Sequence, residues 1–152
     1  MYGFKLLINP ISSPVQIGLY KDDKLFKSWE KEGFVSDFLV DFLKEITKEY
    51  KLKEIAYVNG PGSYMGIKLT FIILKSLEIL EAVPFFGVLG FSLNENAPIK
   101  AMGRLYFVKE KENIITKRFE TPQESSFVLP RLWTQIKKEE TNEPLYHIPS
   151  VG

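Results

Sequence analysis

Three glycines, at positions 60, 62 and 66, fall in the run Gly60-Pro61-Gly62-Ser63-Tyr64-Met65-Gly66-Ile67-Lys68. An apolar, strand-like stretch from Ile55 to Val58 precedes the run, and a helix-like stretch begins at its end. A helix starting there would aim free backbone N–H groups at whatever lies above it, so a phosphate, a carboxylate or a partner's carbonyls would suit the position. The run lacks the Gly-x-x-x-x-Gly-Lys-Ser/Thr spacing of a phosphate loop and has no companion carboxylate, which favours a tight turn that presents the helix. The other reactive side chains are weaker candidates. Asp22 and Asp23 are an acid pair by type, but neighbours on a hairpin turn point apart and are solvated. His147 is the one histidine, and a metal site of histidines needs more than one. Arg104 and Tyr106 read as local packing on a strand. The chain has no cysteine, which removes thiol nucleophiles, disulfides and zinc–cysteine sites.

With 152 residues, 45% of them hydrophobic, the chain can bury one full core. Twenty basic residues against nineteen acidic ones give a net charge of +1, with no like-charge block. A broad nucleic-acid footprint is therefore unsupported, and any connection with RNA is expected to be indirect. The apolar N-terminal run stops at Asn9-Pro10, too soon for a signal peptide or a membrane span. A cytoplasmic protein with no membrane partner is expected.

These motifs have to be positioned by elements that the spacing predicts. Phe4 to Asn9, Val15 to Tyr20 and Leu25 to Glu30 read as an antiparallel meander turning at Lys21-Asp22-Asp23-Lys24. From Phe34 to Tyr50 the residues Val35, Phe38, Leu39, Phe42, Leu43, Ile46 and Tyr50 recur at helical spacing, with Val40 an apolar outlier on the polar side. The second helix, Met65 to Leu80, is apolar all round. Leu69, Ile73, Leu77 and Leu80 form one face, while Phe71, Ile72 and Ile79 lie mostly opposite, among Lys68 and Lys75. One face can pack on the sheet, and the other needs a second cover. A strand from Pro84 to Leu89 follows, then a loop, a hairpin of Arg104–Lys109 and Asn113–Phe119, and a short helix within Phe127–Lys138. The chain is expected to divide into a unit at 1–90 and a truncated second lobe or extension at 91–152.

This order, with Leu7-Ile8-Asn9-Pro10-Ile11-Ser12 ending the first strand and the Gly60 to Lys68 run before the second helix, resembles the bacterial TsaB (YeaZ-like) family. The family reads Ile-Asp-Thr-Ser at the first strand and Gly-Pro-Gly-Ser-Phe/Tyr-Thr-Gly-Leu/Ile-Arg at the second motif. Lys68 stands where the family has Arg, and Lys75 matches a lysine of the same helix. The resemblance implies an α/β, actin-like ATPase fold of the ribonuclease H-like class: a mixed sheet with packed helices, here with a reduced C-terminal lobe. TsaB proteins act beside the catalytic TsaD and the ATPase TsaE, which make threonylcarbamoyladenosine on the tRNA base next to the anticodon.

Three departures bear on what this chain does. The family's Asp is Asn9, an amide that cannot supply a metal-binding charge. The paired histidines of the catalytic subunit have no counterpart. Only about sixty residues follow Gly90, too few for a full second lobe. The expectation is a non-catalytic scaffold that binds no cofactor or metal itself, with ATP and a divalent metal on the partner subunits. Partners would be a TsaD-like subunit, a TsaE-like ATPase and, indirectly, tRNA. The expected contact residues are Met65, Lys68, Phe71, Ile72, Lys75, Ile79 and Val40, and Gly60, Pro61, Gly62, Ser63, Tyr64 and Gly66 form the motif loop. The alternatives are a nucleotide-dependent enzyme of the actin-like class and an inactive, glycoprotease-like homodimer using the same helix face.

Overall fold

In the computed structural model, which describes residues 3–124 and 126–145, the meander forms as the alternation predicts. Strands β1 (Phe4–Asn9), β2 (Val15–Lys21) and β3 (Lys24–Lys31) pair antiparallel, with one register shift in the β2–β3 pair between Leu19 and Tyr20. Asp22 and Asp23 both take left-handed backbone angles (φ 52° and 65°), the geometry of a two-residue hairpin turn. Helix α1 (Val35–Glu49) follows, with the Asp37 carboxylate accepting the Phe34 N–H at 3.2 Å to close its first turn. Strand β4 (Leu52–Gly60) runs parallel to β1, helix α2 (Tyr64–Glu81) crosses back, and β5 (Phe85–Leu89) runs parallel to β4. The result is a mixed five-stranded sheet in the order β3-β2-β1-β4-β5.

Alternate residues of the central strands supply two cores. Leu6, Ile8, Ile17, Leu19, Ile55 and Tyr57 pack against α1 and α2. Leu7, Tyr20, Ala56, Val58 and Val88 face the other way, where the expected helix within Phe127–Lys138 proves to be an extended strap with one 3-10 turn at Trp133–Gln135. The period there is two: Phe127 and Leu129 pack on the sheet while Val128 between them is exposed. Pro130 removes a helix donor, and the strap's backbone groups bond to the sheet and its turns, with Leu25 N–H reaching Arg131 O, Trp133 N–H reaching Asp23 O and Val128 N–H reaching Leu93 O. Trp133 anchors the strap edge-on to Tyr20 (5.1 Å) and donates its indole N–H to Glu54 at 2.9 Å. Further along, Glu139 N–H bonds Gly87 O and Leu145 N–H bonds Asn59 O.

The remaining chain makes a second sheet of β6 (Ile99–Met102), β7 (Leu105–Glu110) and β8 (Asn113–Arg118). The β7–β8 hairpin turns at Lys111 and Glu112 as expected, and the four-residue β6 adds a strand that the sequence pattern does not signal. Phe91, Ile99 and Phe107 fill a third cluster, and Ile11 reaches all three.

The orientation of α2 differs from the expected one. Its buried positions are Ile67, Thr70 and Leu74, and Phe71 packs on Phe85 at 5.8 Å, so Phe71 is part of the core side and not of the outer face. Leu80, expected to pack, is 80% exposed. Thr70 explains the rotation. Its hydroxyl donates to Gly66 O at 2.7 Å, which lets a polar residue occupy the centre of the buried stripe.

Candidate functional site

The glycine turn is shaped by close approach of the chain to itself. Gly60 has φ 142°, and a Cβ there would stand 2.9 Å from Leu145 Cβ. A Cβ on Gly62 would lie 2.5 Å from Ile11 Cγ2, and one on Gly66 would lie 3.3 Å from Pro10 O. The β1–β2 loop therefore occupies the space beside the start of α2. Asn9 sets that loop. It is fully buried, its Oδ1 accepts the Ile11 N–H at 3.2 Å, and its Nδ2 has no partner among the described residues. Ser12 Oγ donates to Asn9 O and accepts the Gln16 N–H, which completes the turn. Ser63 and Tyr64 are exposed, and Lys68 Nζ lies 5.6 Å from the centre of the Tyr64 ring. Pro61 is buried between them and β4.

Beside this loop opens a cleft of about 770 Å³, bounded by Ser12, Ser13, Gln16, Gly62, Ser63, Lys100 and Tyr106 and closed by the second sheet. Among the described residues that line it, Lys100 is the only charged one. The described residues contain no group of three acidic or histidine side chains that could hold a metal ion. Asp22 and Asp23 lie at the β2–β3 turn, at the other end of β2 from the β1–β2 loop, where Asp23 bonds Lys5 at 2.7 Å. Arg104 pairs with Glu120 at 3.0 Å, and the Tyr106 hydroxyl accepts the Gln123 N–H at 3.1 Å, both local roles. His147 lies outside the described residues. No helix among them is long and apolar enough to cross a membrane.

The second feature is the outer surface of α1 and α2. Met65 (71% exposed), Ile72 (48%), Ile79 (75%) and Leu80 lie along α2, with Val40 (49%) facing them from α1. A groove of about 350 Å³ runs between the helices, lined by Val40, Leu43, Ile72, Ile73, Leu77 and Leu80. A recess of about 470 Å³ opens at the helix starts, beside Phe34 and Met65. Lys68 and Lys75 flank the strip, Lys75 pairing with Glu78 at 3.0 Å. Thus Met65, Ile72, Ile79, Val40, Lys68 and Lys75 share the outer surface, and Phe71 does not. Leu80, which spacing puts on the packing face, and Phe34 (79% exposed) also belong to it. Phe34 reads as a helical residue by spacing, but as the residue before the first turn it points away from the core.

A mixed five-stranded sheet carrying two helices on one face and a small second sheet beyond β5 is an α/β architecture found in solved structures. The chain has the fold of YeaZ from Pseudomonas aeruginosa, with a TM-score of 0.58 at 11% identity over 81% of this chain and 67% of that one. It is equally similar to an uncharacterised protein described as having similarity to peptidase YeaZ from Pseudomonas aeruginosa, with a TM-score of 0.58 at 11% identity over 83% of this chain and 64% of that one. The chain thus spans about two thirds of the length of these proteins, and the likeness is one of fold. No family model and no curated protein matches it.

Proposed function

We propose that this chain is a non-catalytic, TsaB-like subunit with a reduced actin-like fold, which binds a TsaD-like protein through α1 and α2 and so supports threonylcarbamoylation of tRNA. The observation that carries the reading is the apolar strip of Met65, Ile72, Ile79, Leu80 and Val40 on two helices whose opposite faces are already in the core. Removing such a strip from water is the dominant favourable term in association, and the flanking Lys68 and Lys75 suit the polar rim of an interface. On this reading the chain holds its partner in a competent conformation, and the chemistry and any nucleotide stay with the partner.

The test is to mix the chain with a TsaD-like subunit, with and without ATP, and measure mass by light scattering. A one-to-one complex that Ile72→Glu abolishes, with circular dichroism unchanged, is the expected result. Failure to associate at micromolar concentration sinks the reading. The polar cleft beside Ser12, Ser63 and Lys100 favours the rival, a nucleotide-dependent enzyme. Calorimetric binding and turnover of ATP by the isolated chain would establish that rival instead.

A further inference from the structure

The glycine turn and the cleft lie at one end of the main sheet. The opposite end, where β1 begins, β2 ends and α1 stops at Tyr50, gathers rings and lysines. Phe4, Phe26 and Tyr50 pack with centroids 4.7 to 6.5 Å apart, and Phe26 remains about half exposed. Lys21 Nζ and Lys27 Nζ stand 5.4 and 5.7 Å from the centre of the Phe26 ring, and Lys27 Nζ stands 5.6 Å from that of Tyr50. The Tyr50 hydroxyl holds the Lys27 ammonium more firmly protonated than an ordinary lysine. Lys24 is the register partner of Lys21, and Lys51 is exposed directly after Tyr50.

Among the described residues neither Lys21 nor Lys27 has a carboxylate within ion-pair distance. Asp23 and Glu54 are engaged by Lys5, and Asp22 and Glu49 are the other acidic neighbours. Two ammonium groups converging on one ring leave a local excess of positive charge that a polyanion relieves. The half-exposed ring adds something a plain phosphate site lacks, an apolar surface on which a base can lie. We infer that this corner docks single-stranded nucleic acid, with Phe26 against an unstacked base and Lys21, Lys27 and Lys51 on the flanking phosphates. A duplex keeps its bases inside and offers nothing to Phe26. The lysines come from β2, β3 and the turn after α1, so the corner leaves no charge run in the sequence.

Fluorescence anisotropy of a short labelled oligouridine with the isolated chain tests this, independently of any partner subunit. The expected result is weak binding whose log–log salt slope is about −2 for three phosphate contacts. Phe26→Ala should weaken it roughly tenfold, the effect of losing one stacked base. The paired Lys21→Gln and Lys27→Gln variant, altered only on the surface, should flatten the salt dependence. Absence of binding at sub-millimolar protein overturns the inference, as does equal affinity for duplex RNA or an affinity that both variants leave unchanged. Equal binding of an acidic peptide with the same dependence on Phe26 would assign the corner to a protein and overturn it as well.

Discussion

Ile11 lies where a side chain on Gly62 would have to stand, its Cγ2 only 2.5 Å from the position of a Cβ there. The same side chain approaches Gly90, whose Cβ would lie 2.9 Å from Ile11 Cδ1. One isoleucine thus wedges the β1–β2 loop between the glycine turn and the end of β5, and it joins the three apolar clusters.

Gly62→Ala should therefore destabilise the protein by about 1–3 kcal/mol through overpacking. The measurement is the urea midpoint. Ile11→Ala should cost less in the Gly62→Ala background than in the wild type, because it removes the Cγ2 that crowds the new methyl; additive losses would show that the two residues do not compete for space.

Asn9→Asp would introduce a carboxylate in a buried site where no lysine or arginine among the described residues bonds to residue 9. Burial raises the pKa of the introduced carboxyl above the ordinary value of about 4. With the folded-state pKa raised, the variant should match the wild type below that pH and lose stability as pH rises through the shifted pKa, by on the order of 3 kcal/mol at neutrality. Urea titrations at pH 4 and pH 7 compare the two limits. A variant equally stable at both would mean that water or a cation reaches the site.

Ile72 and Phe71 are neighbours in sequence with opposite surroundings. Ile72→Glu should leave the thermal midpoint nearly unchanged, while Phe71→Ala should cost about 2–4 kcal/mol by opening a cavity against Phe85. Thermal unfolding of the two variants separates the outer surface of α2 from its core side, whatever binds there.

Tyr20 donates its hydroxyl to Pro130 O at 2.6 Å, and burial pushes the phenol well above its ordinary pKa. The folded protein then holds that proton more tightly than the unfolded chain, so the contribution is complete below about pH 10 and declines as pH rises further. Tyr20→Phe should cost about 1 kcal/mol at pH 8, and its deficit relative to wild type should shrink at alkaline pH. Urea midpoints at the two pH values report the change.

How far these relations can be read from the sequence depends on how local they are. The meander and both helices follow from periodicity, and Val40 stands out from the polar side of α1 by the same reasoning. Thr70 defeats a hydropathy reading because its hydroxyl is satisfied within its own helix. The strap misleads for another reason. Phe127 and Leu129 alternate as a strand would, but their partner is the back of a sheet whose strands lie from about forty to more than a hundred residues earlier, and no local pattern reveals that. In the site, the glycine motif is visible in sequence as a turn, but the residue that fills it, Ile11, is distant. The cluster around Phe26 is similarly invisible, since Lys21, Lys27 and Tyr50 meet only through folding.

The strap also bears on how the protein is made. Tyr20 and Pro130, which bond the sheet to the strap, are 110 positions apart. During synthesis from the N-terminus, the face formed by Leu7, Tyr20, Ala56, Val58 and Val88 stays wet until Trp133 has left the ribosome. A nascent chain that has completed β5 therefore carries a finished helical side and an uncovered apolar back, the kind of surface that chaperones bind and that aggregates when they are scarce.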